Sequence, residues 1–330
     1  MPEKAKRLLE PATNGGLEKT FLLATLKACM QASIVCRDLN QNKSMVAVKK
    51  IGLALGGGGA KGLAHIGIIK ALEAAGIKID YIAGTSMGAL VGGWYAATDD
   101  IRTLEDFILR INKTDIFEIK EMIKRKNGAL FKGESIADNL RKELKNIKVE
   151  DCKIPFTALA TDAKNGDEVC LKNGDLVDAI RASVALPIVF APVAIDGQIL
   201  MDGGLANPVP ADVVKDMGAD YVIAVDVSSR WFTVPEELVT TRDIYHIISN
   251  AFGIIEYQIA KIPLKSADLV LRPPVMSHSW IEFDKAQEII KAGKRELELN
   301  LKEIRRKTGY KKPSQTLTEK FLEFILNKQN

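Results

Sequence analysis

Histidine is scarce in this chain: His65, His246 and His278 are the three in 330 residues. Cysteine is almost as rare, with Cys29, Cys36, Cys152 and Cys170 and no C-x-x-C pair. So few sulfur and imidazole groups, so widely spaced, exclude a disulfide framework and leave little to build a zinc site from. A loop of clustered acidic ligands for calcium is missing as well. Long apolar runs are also missing. The longest, Val184–Ile195, has 12 residues and is broken by Pro187 and Pro192, whereas a membrane-spanning helix needs about 20. Charge of one sign is not in excess, because a net charge of +4 is too small to indicate nucleic acid. What is present is a 47% hydrophobic content, enough for a sizeable core. The length allows either two domains of about 100–200 residues or one large α/β domain.

Residues 1–44 differ from the rest. Lys4, Lys6 and Arg7 precede a short apolar stretch, Thr20–Leu26, in the order of a signal peptide. Lys27 interrupts it and no A-x-A-like cleavage site follows. Secretion is therefore not expected, and a cytoplasmic location is. Met45 stands directly before a strand-like run, Val46–Leu55. The expectation is an N-terminal arm or upstream sequence over 1–44, and a folded domain over 45–330.

Within that domain the run ends in Gly56-Gly57-Gly58-Gly59, and apolar residues then recur at helical spacing from Leu63 to Ala75, closed by Gly76. Tyr81–Gly84 is a second strand, followed by a helix of small residues, Met87–Ala97. Strand–helix–strand–helix order implies a parallel sheet with right-handed crossovers. Residues 101–148 are helical in pattern, with nine Lys/Arg against four Asp/Glu between Lys120 and Lys148. They are expected to form a helical insertion or lid, with Phe107, Ile108, Ile111, Ile116, Phe117 and Ile119 along an acyl path. Further strands are expected at Phe156–Ala160, Glu168–Leu171, Val193–Ile195, Gln198–Met201, Tyr221–Val227 and Asp268–Leu271, and a long amphipathic helix at Asp284–Arg306. Asp196-Gly197 is a two-residue hairpin turn.

Three motifs carry chemistry. Gly84-Thr85-Ser86-Met87-Gly88 is a G-x-S-x-G elbow between a strand and a helix. Its glycines permit a tight turn that exposes the serine at a helix N-terminus. Gly56-Gly57-Gly58-Gly59-Ala60-Lys61-Gly62 contains G-x-G-x-x-G, which alone also suits a dinucleotide. That use wants an acidic residue closing the second strand, and Asp80 precedes it instead. The competing use is an oxyanion hole of bare backbone N–H groups facing Ser86. Asp202-Gly203-Gly204 follows a strand, so the aspartate projects from a strand end. Ser86 needs a base. Asp202 can serve directly if burial raises its pKa, or the order Ser86, Asp202, then His246 or His278 can form an α/β-hydrolase triad. The residues alone leave both open.

Taken in order, the glycine-rich loop with its basic residue, the Gly-Thr-Ser-Met-Gly elbow and the Asp-Gly-Gly resemble the patatin-like phospholipases. The similarity is to bacterial single-domain members and to the catalytic domain of neuropathy target esterase. It runs from about Val46 to Val227 and includes Leu63-Ala64-His65-Ile66-Gly67 and Arg181-Ala182-Ser183-Val184-Ala185-Leu186-Pro187. The resemblance implies a three-layer α/β/α fold with a mostly parallel central sheet, and a Ser86–Asp202 dyad. It implies oxyanion-hole amides from Gly57, Gly58 and Gly59, with Lys61 where many members carry arginine. It implies hydrolysis of fatty-acyl esters in phospholipids or lysophospholipids, without metal or organic cofactor. Separately, the basic excess of the insertion, densest at Lys124-Arg125-Lys126, leads to an expectation of peripheral contact with an anionic membrane. A histidine-dependent esterase and a non-catalytic lipid-binding protein are the alternatives.

Overall fold

The computed structural model describes residues 48–110, 134–187, 189–228 and 244–311. Eight strands make one sheet: β1 Ile51–Leu55, β2 Tyr81–Thr85, β3 Phe156–Asp162, β4 Glu168–Leu171, β5 Val193–Ile195, β6 Gln198–Asp202, β7 Tyr221–Val225 and β8 Leu269–Leu271. Their order is β5-β6-β3-β2-β1-β7-β8, with β4 paired to β3 outside this path. The run β3-β2-β1-β7-β8 is parallel throughout. Beyond β3 the sheet turns antiparallel, through β3–β4, β3–β6 and β5–β6. All eight expected strands are present. The first is shorter than its apolar run suggests, because the Lys49 and Lys50 amides are drawn off to the Thr308 carbonyl and the Asp220 carboxylate.

Alternation along the strands builds a core on each face. Ile51, Leu53 and Leu55 of β1 join Tyr221, Ile223 and Val225 of β7 in one core, while Ala54 joins Val222 and Ala224 in the other. Successive side chains of a strand point to opposite faces, so a strand apolar at every position demands a helical layer on both sides. Among the described residues eight helices supply those layers: α1 Ala64–Ala74, α2 Met87–Thr98, α3 Ile101–Arg110, α4 Glu134–Leu144, α5 Leu176–Ser183, α6 Ala211–Asp216, α7 Ile244–Ala260 and α8 Ala286–Thr308. Residues from α1, α2, α5 and α8 fill the first core, and residues from α6 and the end of α7 fill the second. The fold is the expected three-layer α/β/α.

The insertion is partly helical, as α3 and α4. Two of its apolar residues have a different role from the one expected. Ile108 joins Ile101 and Leu104 in a stripe at helical spacing buried in the first core, and the Phe107 ring packs on Trp94 with centroids 5.1 Å apart. They anchor α3 to the core. Ile111, Ile116, Phe117, Ile119 and the basic run Lys124–Lys126 lie outside the described residues. Among the described residues no helix is long and apolar enough to cross a membrane.

Candidate active site

The carboxyl ends of β1 and β2 lie side by side, Leu55 opposite Gly84. The glycine loop leaves one and the elbow leaves the other. Ser86 sits at φ 52°, ψ −121°, directly before α2. A positive φ is strained for a residue with a Cβ and is held only where the surroundings over-determine it. Here they do, because the two elbow glycines have no room for a side chain. A Cβ on Gly84 would lie 2.3 Å from the Gly88 carbonyl oxygen, and one on Gly88 would lie 2.1 Å from that of Leu55. The helix therefore starts hard against β1 and the serine is thrust outward, half-buried. Its own N–H donates to Ser183 Oγ at 2.9 Å, and Ser183 donates in turn to the Leu159 carbonyl at 2.5 Å.

Asp202 reaches the same place through the sheet. It ends β6, which pairs antiparallel with β3 so that Asp202 stands opposite Ala160, and β3 pairs with β2 so that Leu159 stands opposite Thr85. One strand thus spaces the aspartate from the elbow. Three bonds fix it: its N–H donates to the Ala185 carbonyl at 3.0 Å, its carbonyl accepts from Thr161 Oγ1 at 2.8 Å, and Oδ1 accepts from the Gly204 N–H at 2.8 Å. The Ser86 hydroxyl is near enough to influence its carboxyl group. Burial raises the Asp202 pKa to about 6, opposed by the bond from Gly204 and by the Ser86 hydroxyl. A buried carboxylate beside a serine hydroxyl can take the proton when that hydroxyl attacks, and the raised pKa makes it a better base than an exposed aspartate.

The glycine loop closes the third side. Gly57 backs onto Ser86, since a Cβ there would lie 3.3 Å from the serine Cβ. Its N–H, however, is donated to the Pro208 carbonyl at 3.0 Å, and that of Ala60 to the Trp280 carbonyl at 2.7 Å. The loop amides that keep no backbone acceptor among the described residues are those of Gly58 and Gly59, at φ 154° and 58°. Lys61, next along, is half-buried. Burial lowers its pKa, while the nearby carboxylates of Glu256 and Asp226 work to raise it. Its charge is thus faced by acids of the protein itself.

The two histidines whose side chains are described have other partners. His65 is fully buried, with Nε2 2.8 Å from the Gly56 carbonyl oxygen, and burial pushes its pKa down to about 4. It is a neutral brace under the glycine loop. His278 faces Glu282 at 3.6 Å and Glu288 at 3.7 Å. His246 falls on α7, its side chain outside the described part. The dinucleotide option loses its acidic residue: Asp80 accepts the Ile51 N–H at 2.9 Å. That ties β2 to the start of β1, the end opposite the glycine loop. Among the described residues no three His, Cys, Asp or Glu side chains form a group that could hold a metal ion.

Two residues at the site escape a reading of motifs. Ser183 seats the elbow from a stretch that looks, in sequence, like one more small-residue helix end. Glu256 has a signal that could have found it, as the single acidic residue of the apolar helix α7. Its Oε1 lies 2.5 Å from where a Gly204 Cβ would stand, and Asp202 Oδ1 lies 3.2 Å from the same point. Burial raises the Glu256 pKa to about 8, the Asp202 charge adds to the rise, and Lys61 opposes it. As for Ser183, replacement by alanine leaves the Ser86 N–H without its acceptor. Ser183→Ala should cost about 1–3 kcal/mol of stability by urea unfolding and lower turnover more than it raises KM, because the nucleophile's backbone is released.

Part of the chain is similar to known proteins. Residues 53–215 match the sequence profile of the family described as patatin-like phospholipase. An uncharacterised NTE family protein of Mycobacterium bovis is 40% identical over 179 residues, 54% of this chain and 49% of that protein. A patatin-like phospholipase domain-containing protein of Caenorhabditis elegans is 30% identical over 288 residues, 78% of this chain and 21% of that protein. Patatin-like phospholipase domain-containing protein 6 of Homo sapiens is 29% identical over 281 residues, again 78% of this chain and 20% of that protein. The chain therefore spans between a fifth and a half of the length of these relatives. Over residues 53–215, the chain carries a domain of the patatin-like phospholipase family.

Proposed function

We propose that the protein is a serine acyl hydrolase that cleaves fatty-acyl ester bonds of phospholipids or lysophospholipids. The observation that carries this reading is the buried Asp202 carboxyl group, on which the Ser86 hydroxyl acts from an elbow whose backbone is strained. Ser86 Oγ attacks the ester carbonyl carbon as Asp202 takes its proton. The tetrahedral oxyanion accepts hydrogen bonds from the Gly58 and Gly59 amides, supported by the N-terminal dipole of α2. Collapse breaks the acyl–oxygen bond, and Asp202 returns the proton to the departing alcohol or lysolipid. Water, deprotonated by Asp202, then releases the fatty acid from the acyl-serine. No histidine, metal or organic cofactor enters these steps. Gly57 contributes by being bare beside Ser86, and Lys61 by balancing the acids behind the loop. Peripheral contact with an anionic membrane belongs to the same reading.

The test is covalent labelling by a fluorophosphonate, which requires an activated serine, followed across pH. Asp202 must be ionised to act, so labelling and short-ester hydrolysis should rise with pH through about 6. Above about 8, Glu256 ionises beside Asp202, Lys61 and Asp226. That adds negative charge next to a developing oxyanion, so the rate should fall. Glu256→Gln should remove the alkaline limb and leave the acid limb in place. Absence of labelling at every pH would overturn the proposal.

A further inference from the structure

A helix on a protein surface normally turns its apolar stripe inward and its polar face to water. Helix α7 does the reverse. Ile247, Ile254 and Ile255 are 46%, 42% and 47% exposed, and Ile262, just past its end, is 72% exposed. Ala251 and Gln258 are exposed with them. At about 100° per residue these positions share one side of the helix. Glu256 lies nine positions beyond Ile247, which puts it on the opposite side, against Gly204 and the Asp202 carboxylate. The helix packs on the Gly203–Leu205 turn that follows Asp202. Its exposure is not a loose end, because Ala260 is fully buried and Leu264 nearly so. One face of α7 thus borders the site, and the other presents aliphatic side chains outward. The exposed positions named carry no charge. Lys261, beside Ile262 in sequence, has its ammonium 4.4 Å over the Tyr257 ring and donates to Gln258 Oε1 at 2.9 Å.

We propose that the outward face of α7, formed by Ile247, Ile254, Ile255 and Ile262, is the surface that docks the protein on a phospholipid bilayer. This rests on the lipid-ester reading above. A second copy of the chain is the less suited occupant. A stable dimer buries about 800 Å² a side, and its strongest contacts come from Trp, Tyr and Arg. Four half-exposed isoleucines supply neither. Entry into the headgroup–acyl boundary sets no such area threshold and favours an uncharged aliphatic face. Docking through this face would set α7, whose other side borders Asp202, at the lipid surface.

The experiment measures binding, so it does not depend on hydrolysis. Full-length Ser86→Ala protein is sedimented with neutral phosphatidylcholine vesicles, alone and with Ile247→Gln, Ile254→Gln, Ile255→Gln and Ile262→Gln combined. The expected result is at least a tenfold weaker vesicle partition, with circular dichroism and elution volume unchanged. Should the combined variant fold poorly, Ile262→Trp reports the same contact. Its added emission should shift to the blue when vesicles are present. Unaltered partition in the combined variant, no blue shift at position 262, or a parent dimer that the substitutions split into monomers would each overturn the proposal. A protein that docks this way yet hydrolyses no ester would leave the surface standing and remove the function instead.

Discussion

Ser86→Ala and Asp202→Asn should each lower ester hydrolysis by at least about 10⁴-fold, since a nucleophile and its base act as a unit. Ser86→Ala should also abolish fluorophosphonate labelling. His246→Ala and His278→Ala should keep activity within a few-fold. Asp202→Asn carries a second, opposite signature. A carboxyl whose folded pKa stands above its unfolded value costs the fold stability whenever it is ionised. For Asp202 that cost is absent below about pH 4, grows as pH rises, and is complete above about pH 6. The shift to about 6 corresponds to about 2–3 kcal/mol. The asparagine variant should therefore be inactive and, at pH 8, more stable than the parent, with the difference vanishing at acid pH. Inactivity with a loss of stability at pH 8 would mean that Asp202 is a structural residue. A thousandfold loss in either histidine variant, with circular dichroism unchanged, would replace the dyad by a triad.

Gly58→Ala is the second large effect. The residue stands at φ 154°, where a side chain is strained, and its Cβ would lie 2.9 Å from Val227 Cγ2. The loop must shift to accept the methyl group, and the Gly58 amide moves with it. Loss of one oxyanion donor costs about 100- to 1000-fold in turnover, so a fall of that size is expected in kcat, with KM little changed. Gly57→Ala should behave differently. Its amide is already bonded to Pro208, so its methyl group acts by crowding Ser86 and should slow fluorophosphonate labelling as much as turnover. Equal kinetics for the parent and Gly58→Ala, or micromolar NAD or ATP binding by calorimetry, would show that the loop does not hold an oxyanion.

The order of elements was legible because the governing forces are local. Strands apolar at every position, such as Tyr221–Val225, have few alternatives to a sheet buried on both sides. Asp196-Gly197 turned as a two-residue hairpin turn should, with both residues at positive φ. The elbow was legible for the same reason. Gly-Thr-Ser-Met-Gly has glycine at the two places where a Cβ would strike the Gly88 or Leu55 carbonyl, so the turn and the exposed serine are written into five adjacent residues. Apolar spacing was less informative about the use of each side chain. Phe107 and Ile108 carry the right character for an acyl path, yet helix α3 turns them into the core.

Distance along the chain marks the limit. The approach of Asp202 to Ser86 depends on β6 joining β3 antiparallel while β3 joins β2 parallel, pairings between residues about 40 and 74 positions apart. Periodicity reports which face of a strand is buried, but it does not report which strand lies beside it. The same holds for Ser183 under the elbow, for Glu256 beside Asp202 and for the acids that face Lys61, each brought in from a separate element. Helix α7 shows this most plainly. Its sequence is apolar nearly all round, the mark of a buried helix. Only its packing on the Gly203–Leu205 turn sets Glu256 inward and leaves the isoleucines facing out, because composition fixes how much apolar surface a helix carries, and its neighbours determine which part of it is covered.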